Sequence, residues 1–261
     1  MTAIHYPEVI PITTPGPSST LGILIPGSGP CSLVHVPRLP PPALAALAAL
    51  AATLVAGCAG PSLTLREGLD QSDLQARLAA RGHAWLGQGK APFRVAGQTY
   101  SPDCSGFVEA VYASEGVPLR TLAGRAAPGE ASGVAALWAA ADRYGTRWRG
   151  GDWPAPGDLV FFEDTWDRNG NGTLDDPFTH IGLVEWVDQG GTVTFLHRAG
   201  AGVVRGHLTL ALRDTLRAAD GAELNAPLRV RGSKDDRAPS LAGELFVGFG
   251  RIDPLRARAA R

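Results

Sequence analysis

Apolar residues along the chain follow three regimes. From Ala43 to Gly57 they run almost unbroken, with no internal charge. From Leu69 onward they recur at helical spacing, and from Trp153 they shift to the period of strands. Leu69, Leu74 and Leu78 predict a helix over Leu69 to Arg81, closed by Gly82. The stretch from Gly87 to Pro102 reads as loop. Pro102 and Asp103 read as the start of a second helix, with Asp103 as N-cap. Phe107, Val108, Val111 and Tyr112 form its apolar face, and Gly116-Val117-Pro118 stops it. A Gly/Ala-rich loop is expected next, then a helix from Glu130 to Tyr144 with Leu137, Trp138 and Ala141 facing the core. Pro156-Gly157-Asp158 turns into a strand over 159–162, and His180 to Val187 is a second strand. Gly190-Gly191 turns that strand into Thr192 to His197. Val203 to Arg205 and Leu245 to Arg251 are further strand candidates. Helices first and an antiparallel sheet afterwards predict an α+β fold, with no repeat and no second core.

Composition narrows the picture. At 44% hydrophobic and 19% charged, with net charge −1, the chain is globular and carries no polybasic surface for nucleic acid. The apolar run from Ala43 is short for a membrane span but suits the core of an export signal. Its end, Leu54-Val55-Ala56-Gly57-Cys58, resembles a bacterial lipoprotein processing site. That resemblance implies cleavage before Cys58 and lipidation of that cysteine. The expected organisation is therefore 1–37 disordered or a mis-assigned start, 38–57 signal peptide, 58–68 lipidated cysteine and linker, and 69–255 a single domain. Translation from Val34 or Val36 would leave Arg38 as the signal's positive charge. Ala59 after Cys58 favours the outer over the inner membrane, on its periplasmic side, and a monomer is expected. Of the three cysteines, only Cys104 then keeps a free thiol, because Cys31 is removed and Cys58 acylated.

Cys104 falls in the first turn of the predicted second helix. Unpaired N–H groups and the helix dipole there favour a thiolate, the nucleophilic form, and Gly106 leaves room for close approach to the sulfur. A cysteine nucleophile needs an imidazole, and that imidazole needs a third group to fix its tautomer. Beyond the signal lie His83, His180, His197 and His207. His180 opens a strand and His197 ends its expected partner, so the two could share one face of the hairpin. His83, after a helix, and His207, in a loop, read as solvent-exposed.

Four stretches occur in order: Asp103-Cys104-Ser105-Gly106-Phe107-Val108, the run 156–162 (PGDLVFF), Thr179-His180-Ile181-Gly182-Leu183-Val184, and Leu196-His197-Arg198-Ala199-Gly200. Together they resemble the NlpC-type cell-wall endopeptidases, papain-like cysteine peptidases with N-terminal helices packed on an antiparallel sheet. The resemblance implies Cys104 as nucleophile, His180 as base and His197 as the orienting residue, with the Cys104 N–H in the oxyanion hole. It implies hydrolysis of amide bonds in peptidoglycan stem peptides, commonly between γ-D-glutamate and a diamino acid. Where many members carry Tyr-x-x-Gly-Gly, this chain has Phe93-Arg94-Val95-Ala96-Gly97, and Tyr100 is the candidate substitute for the missing hydroxyl. Two alternatives stay open: an amidase or acyltransferase of the same fold acting on another amide or ester, and an inactive wall-binding lipoprotein.

Just ahead of His180, Asp167, Asn169 and Asn171 alternate, Gly172 is sixth and Leu174 eighth, as in the first part of an EF-hand-type calcium loop. Asp167, Asn169 and Asn171 would give side-chain oxygens, Thr173 its carbonyl, and Asp175 or Asp176 a closing carboxylate. Phe178 stands at the twelfth position instead of glutamate, so any Ca2+ site here is weaker than an EF-hand or differently shaped. No cofactor is expected for catalysis itself.

Overall fold

The computed structural model describes residues 71–130, 132–229 and 239–260. The signal segment, Cys31 and Cys58 lie outside them. Helix α1 (Gln71–Ala84) opens the described chain. It continues past the expected stop because Gly82 packs inside it: a Cβ there would lie 2.6 Å from Leu183 Cδ2 and 3.0 Å from Leu196 Cδ1. This glycine admits the sheet and does not end the helix. The expected loop after it contains a hairpin, β1 (Phe93–Val95) and β2 (Gln98–Tyr100). Ala96 and Gly97 both take positive φ (46° and 79°), the geometry a tight two-residue hairpin turn requires.

Helix α2 (Cys104–Ser114) starts as predicted, with the Asp103 carboxylate accepting from the Gly106 N–H at 2.7 Å. A second correction follows at α3 (Leu119–Ala126), where a loop was expected. Leu119, Leu122 and Ala123 are buried at i, i+3 and i+4, and that stripe outweighs the glycine within the segment. Helix α4 (Gly133–Tyr144) is capped by Ser132, two residues after the expected start, and buries Leu137, Trp138 and Ala141.

Strands β3 (Gly145–Trp148), β4 (Leu159–Phe162), β5 (His180–Val187), β6 (Thr192–Arg198), β7 (Val203–Thr209) and β8 (Phe246–Ile252) form one antiparallel sheet in the order β3-β8-β4-β5-β6-β7. Helix α5 (Pro254–Ala259) follows. Phe107, Val111, Leu137, Phe161, Leu183 and Leu196 join helices α1–α4 to one face of the sheet. The other face of the same sheet is covered too. There Val160, Phe162, Val184, Phe195, Leu208, Leu245 and Phe249 pack together. With both faces covered, β4 is apolar at every position, and its four residues are all buried.

The turn before β4 fastens the helices to the sheet. Asp158 is fully buried and accepts from Gln75 Nε2 of α1 (2.6 Å), from the Ala155 N–H (2.7 Å), and from Arg251 of β8 through Nε (2.9 Å) and Nη2 (2.7 Å). Burial raises the Asp158 carboxyl above its usual range, and Arg251 acts against that rise. Tyr112 Oη of α2 donates to the Gly157 carbonyl at 2.9 Å. Gly157 itself needs φ +87°, and a Cβ there would strike the Gln75 backbone at 2.5 Å. One three-residue turn thus fixes α1, α2 and β8 against β4, which sets where the N-terminus of α2 meets β5.

Candidate active site

Cys104 begins α2, and its sulfur faces the start of β5. The backbone N–H of Ile181 reaches it, as do those of Ser105 and Cys104 itself, and all three lower its pKa. They do not prevail. Burial pushes the thiol up to about 11, and the neighbouring Asp103 carboxylate adds to the rise. The expected thiolate is therefore corrected: desolvation outweighs the helix-end amides, and the resting sulfur is a thiol. Gly106 is corrected as well. A Cβ there would lie 2.1 Å from the Ser101 carbonyl oxygen, so its missing side chain admits backbone rather than an approaching substrate.

His180 opens β5 opposite Phe162 of β4. The segment leading to it is held tightly. Phe178 takes φ +53°, unusual for a bulky residue, and its ring packs 5.6 Å from that of Trp138. Thr179 Oγ1 accepts from the Thr165 N–H at 2.9 Å and lies 3.0 Å from Thr165 Oγ1. His180 Nε2 and His197 Nδ1 are 2.9 Å apart, with the rings nearly perpendicular at 88°. The two expected partners do meet across the β5–β6 hairpin. Burial lowers the His180 pKa to about 4. Burial, and then His180, hold His197 well below the usual histidine range. Both rings are neutral at neutral pH.

Cys104 and His180 line one cavity of about 420 Å³, together with Lys90, Asp103, Trp166 and Arg198. His197 sits behind His180 and is not among the lining residues. The other histidines lie elsewhere. His83 is exposed, as expected, but in the last turn of α1 and bonded to Glu185 at 2.5 Å. His207 lies within β7 rather than a loop and meets Glu223 at 3.1 Å. Tyr100 does not line the Cys104 cavity. It borders a separate groove with Val95 and Val117, beneath the Arg120 guanidinium at 4.4 Å.

These elements converge where a papain-like hydrolase would carry its chemistry. Residues 95–199 match the family model of the CHAP domain. The CHAP domain is a cysteine peptidase or amidase domain of the papain-like class, and it indicates a hydrolase acting on peptidoglycan. The resemblance drawn from four motifs thus holds at the level of that class, under a different family model from the NlpC-type one. The CHAP match runs from Val95, the last residue of β1, to Ala199, just past β6, and so includes Cys104, His180 and His197. No curated protein and no solved structure matches the chain.

The Asp/Asn loop lies beyond the cavity. Asp167 accepts from the Gly170 N–H (2.7 Å) and the Gly172 N–H (2.8 Å), Asn169 Oδ1 from the Asn171 N–H (2.9 Å), and Asn171 Oδ1 from the Thr173 N–H (2.8 Å). Asp175 accepts the side-chain amides of Asn169 and Asn171, which hold its carboxyl below the usual range. Asp176 is separated from that ring. It is buried, and its Oδ2 accepts from the Arg168 N–H at 2.8 Å. Among the described residues no three His, Cys, Asp or Glu side chains gather as a metal cluster.

One residue carried no role in its motif, namely Arg198, which follows His197 and is buried in the wall of the cavity that Cys104 lines. Its signal was faint: an arginine closing a strand of threonines, apolar residues and one histidine.

Proposed function

We propose that the protein is a lipid-anchored cysteine peptidase that hydrolyses amide bonds in peptidoglycan stem peptides. The observation that carries this reading is the 2.9 Å contact between His180 Nε2 and His197 Nδ1 beside Cys104. With Nε2 turned to His197, Nδ1 is the nitrogen His180 has left for the thiol. To accept a proton at Nδ1, neutral His180 must carry its hydrogen on Nε2, donated to His197 Nδ1. His197 therefore orients the base and selects its tautomer.

In the reaction Cys104 Sγ attacks the scissile carbonyl carbon while its proton passes to His180 Nδ1. The oxyanion forms at the Cys104 N–H. Collapse breaks the C–N bond, and His180 returns the proton to the departing amine, leaving a thioester. His180 then takes a proton from water, whose oxygen attacks the thioester, releasing the acid and restoring the thiol. Because the resting pair is neutral, charge separates only as the transition state forms. Buried neutral imidazoles suit that sequence, since a protonated His180 could not begin it.

Mass spectrometry of purified muropeptides digested by the protein tests the reading, with Cys104→Ala as control. A new amine and acid at one stem-peptide bond is expected. Loss of a different amide or ester group would instead assign an amidase or acyltransferase. For the anchor, Cys58→Ser should release the protein from the membrane fraction, and unchanged fractionation would refute it. For the loop of Asp167, Asn169, Asn171, Thr173, Asp175 and Asp176, the proposal is a structural calcium ion that orders the approach to His180. Calorimetry at millimolar calcium, with Asp167→Ala as control, would detect binding or exclude it.

A further inference from the structure

The cavity around Cys104 and His180 has an unbalanced charge. Among its lining residues Lys90 and Arg198 are cationic and Asp103 is the single carboxylate. Asp103 is already committed, since its Oδ1 accepts from the Gly106 N–H at 2.7 Å and from Ser105 Oγ at 2.9 Å. Lys90 is exposed and solvated. Arg198 is only 6% exposed, and among the described residues it forms no ion pair. Its Nη1 donates to the carbonyl of Ala199, another wall residue, while its Nε is buried with no hydrogen-bond partner.

That arrangement is costly in the free protein. A buried guanidinium without a counter-ion, carrying an orphan N–H, forgoes both hydration and pairing. The fold does not force it outward. Leu196, two residues earlier on β6, packs in the cluster with Phe107 of α2, so position 198 shares the face of the sheet turned toward the helix that carries Cys104. With Nη1 donating to Ala199, the Nε and Nη2 edge is left as a planar fork that fits a carboxylate with two parallel hydrogen bonds.

We infer that Arg198 is a specificity residue that binds a carboxylate of the substrate close to the scissile amide, with Lys90 drawing the anion toward the cavity. The enzyme then selects substrates with a free acid next to the bond it cuts over neutral or amidated ones. This rests on the hydrolase reading for its meaning, but its test does not require turnover.

The probes are iodoacetate and iodoacetamide. Each is attacked by the Cys104 thiolate at carbon, forming an S–C bond and expelling iodide, and they differ in charge alone. The ratio of their alkylation rates cancels changes in the thiol itself. In the wild-type protein that ratio should exceed the ratio for a neutral model thiol by about tenfold, the gain of one charge-assisted contact. Iodoacetate should also saturate, and acetate but not acetamide should compete with it. Arg198→Gln and Arg198→Met should both return the ratio to the model-thiol value, and Lys90→Ala should lower it in a salt-dependent way. A wild-type ratio no higher than that of the model thiol, without saturation, overturns the proposal even if every Arg198 variant misfolds. A ratio unchanged in a folded Arg198 variant overturns it too. Were the ratio to behave as expected while no peptide bond is cut, the peptidase reading would fail and the anion site would stand.

Discussion

Iodoacetamide alkylation of Cys104 followed from pH 6 to 11 tests the neutral pair directly. The thiol is raised from an ordinary value of 9.0 to about 11, first by burial and then by Asp103. At pH 8 its thiolate fraction is then roughly 100-fold below that of an unperturbed thiol. A more basic thiolate is also a better nucleophile. Over two pKa units that recovers a factor of about 6 to 10, so the net rate should be about 10-fold below a model thiol. The rate should climb about tenfold per pH unit through pH 10 without a plateau. Asp103→Asn keeps an N-cap and removes the carboxylate charge, so its profile should shift to lower pH. Mass spectrometry of the peptide containing residue 104 gives the rates. A plateau between pH 5 and 9, with rates above the model thiol, would mean a resting thiolate–imidazolium pair and would refute the argument from burial.

Cys104→Ala and His180→Ala should each remove nearly all hydrolysis, since nucleophile and base act as a unit. His197→Ala should cost about 100-fold and His197→Asn less, because the asparagine oxygen can accept where Nδ1 does; equal losses in the muropeptide assay would remove the orienting role. Acid should destabilise the fold through His180. Its unfolded form takes up a proton near 6.5, its folded form only near 4, so this stability is full above about pH 6.5 and drains away as pH falls toward 4. By pH 4.5 about 2.5 kcal/mol should be lost in urea titrations, and His180→Gln should flatten that slope. Asp158→Ala should cost about 3 kcal/mol in the same titrations at pH 7, by leaving Gln75 and the partly buried Arg251 without their acceptor, and a loss under about 1 kcal/mol would contradict the clamp.

Much of the fold and site was legible because local chemistry and tertiary demand coincide. Asp103 caps α2 where a capping residue stood in front of an apolar stripe, and β5 runs over His180–Val187, the bounds the sequence indicated. His180 and His197 meet because the tight turn at Gly190-Gly191 lays β6 back along β5. What escaped depends on distant neighbours. Gly82 looked like a stop, but its role is set by Leu183 and Leu196, about 100 residues away. The second face of the sheet is covered by Ala242 and Leu245, which precede β8 and whose place over the sheet no local pattern shows. The thiolate expectation failed similarly. The helix end was visible in the sequence, whereas the burial that overrides it exists only once the chain has packed around Cys104.

The place of β8 has a consequence for the order in which the molecule can form. It lies between β3 and β4, pairing Phe246 with Phe162 from about 80 residues further along the chain. During synthesis β4 and the β5–β6–β7 meander emerge first, and they must wait with one open edge. Asp158 waits as well, its carboxylate lacking the Arg251 that later neutralises it. Closing so long a loop is slow relative to local pairing. A chain stopped short of residue 246 would still hold Cys104, His180 and His197, yet it would lack the strand that joins β3 to the rest of the sheet. Assembly of the hydrolytic machinery is in this way tied to the arrival of the last strand.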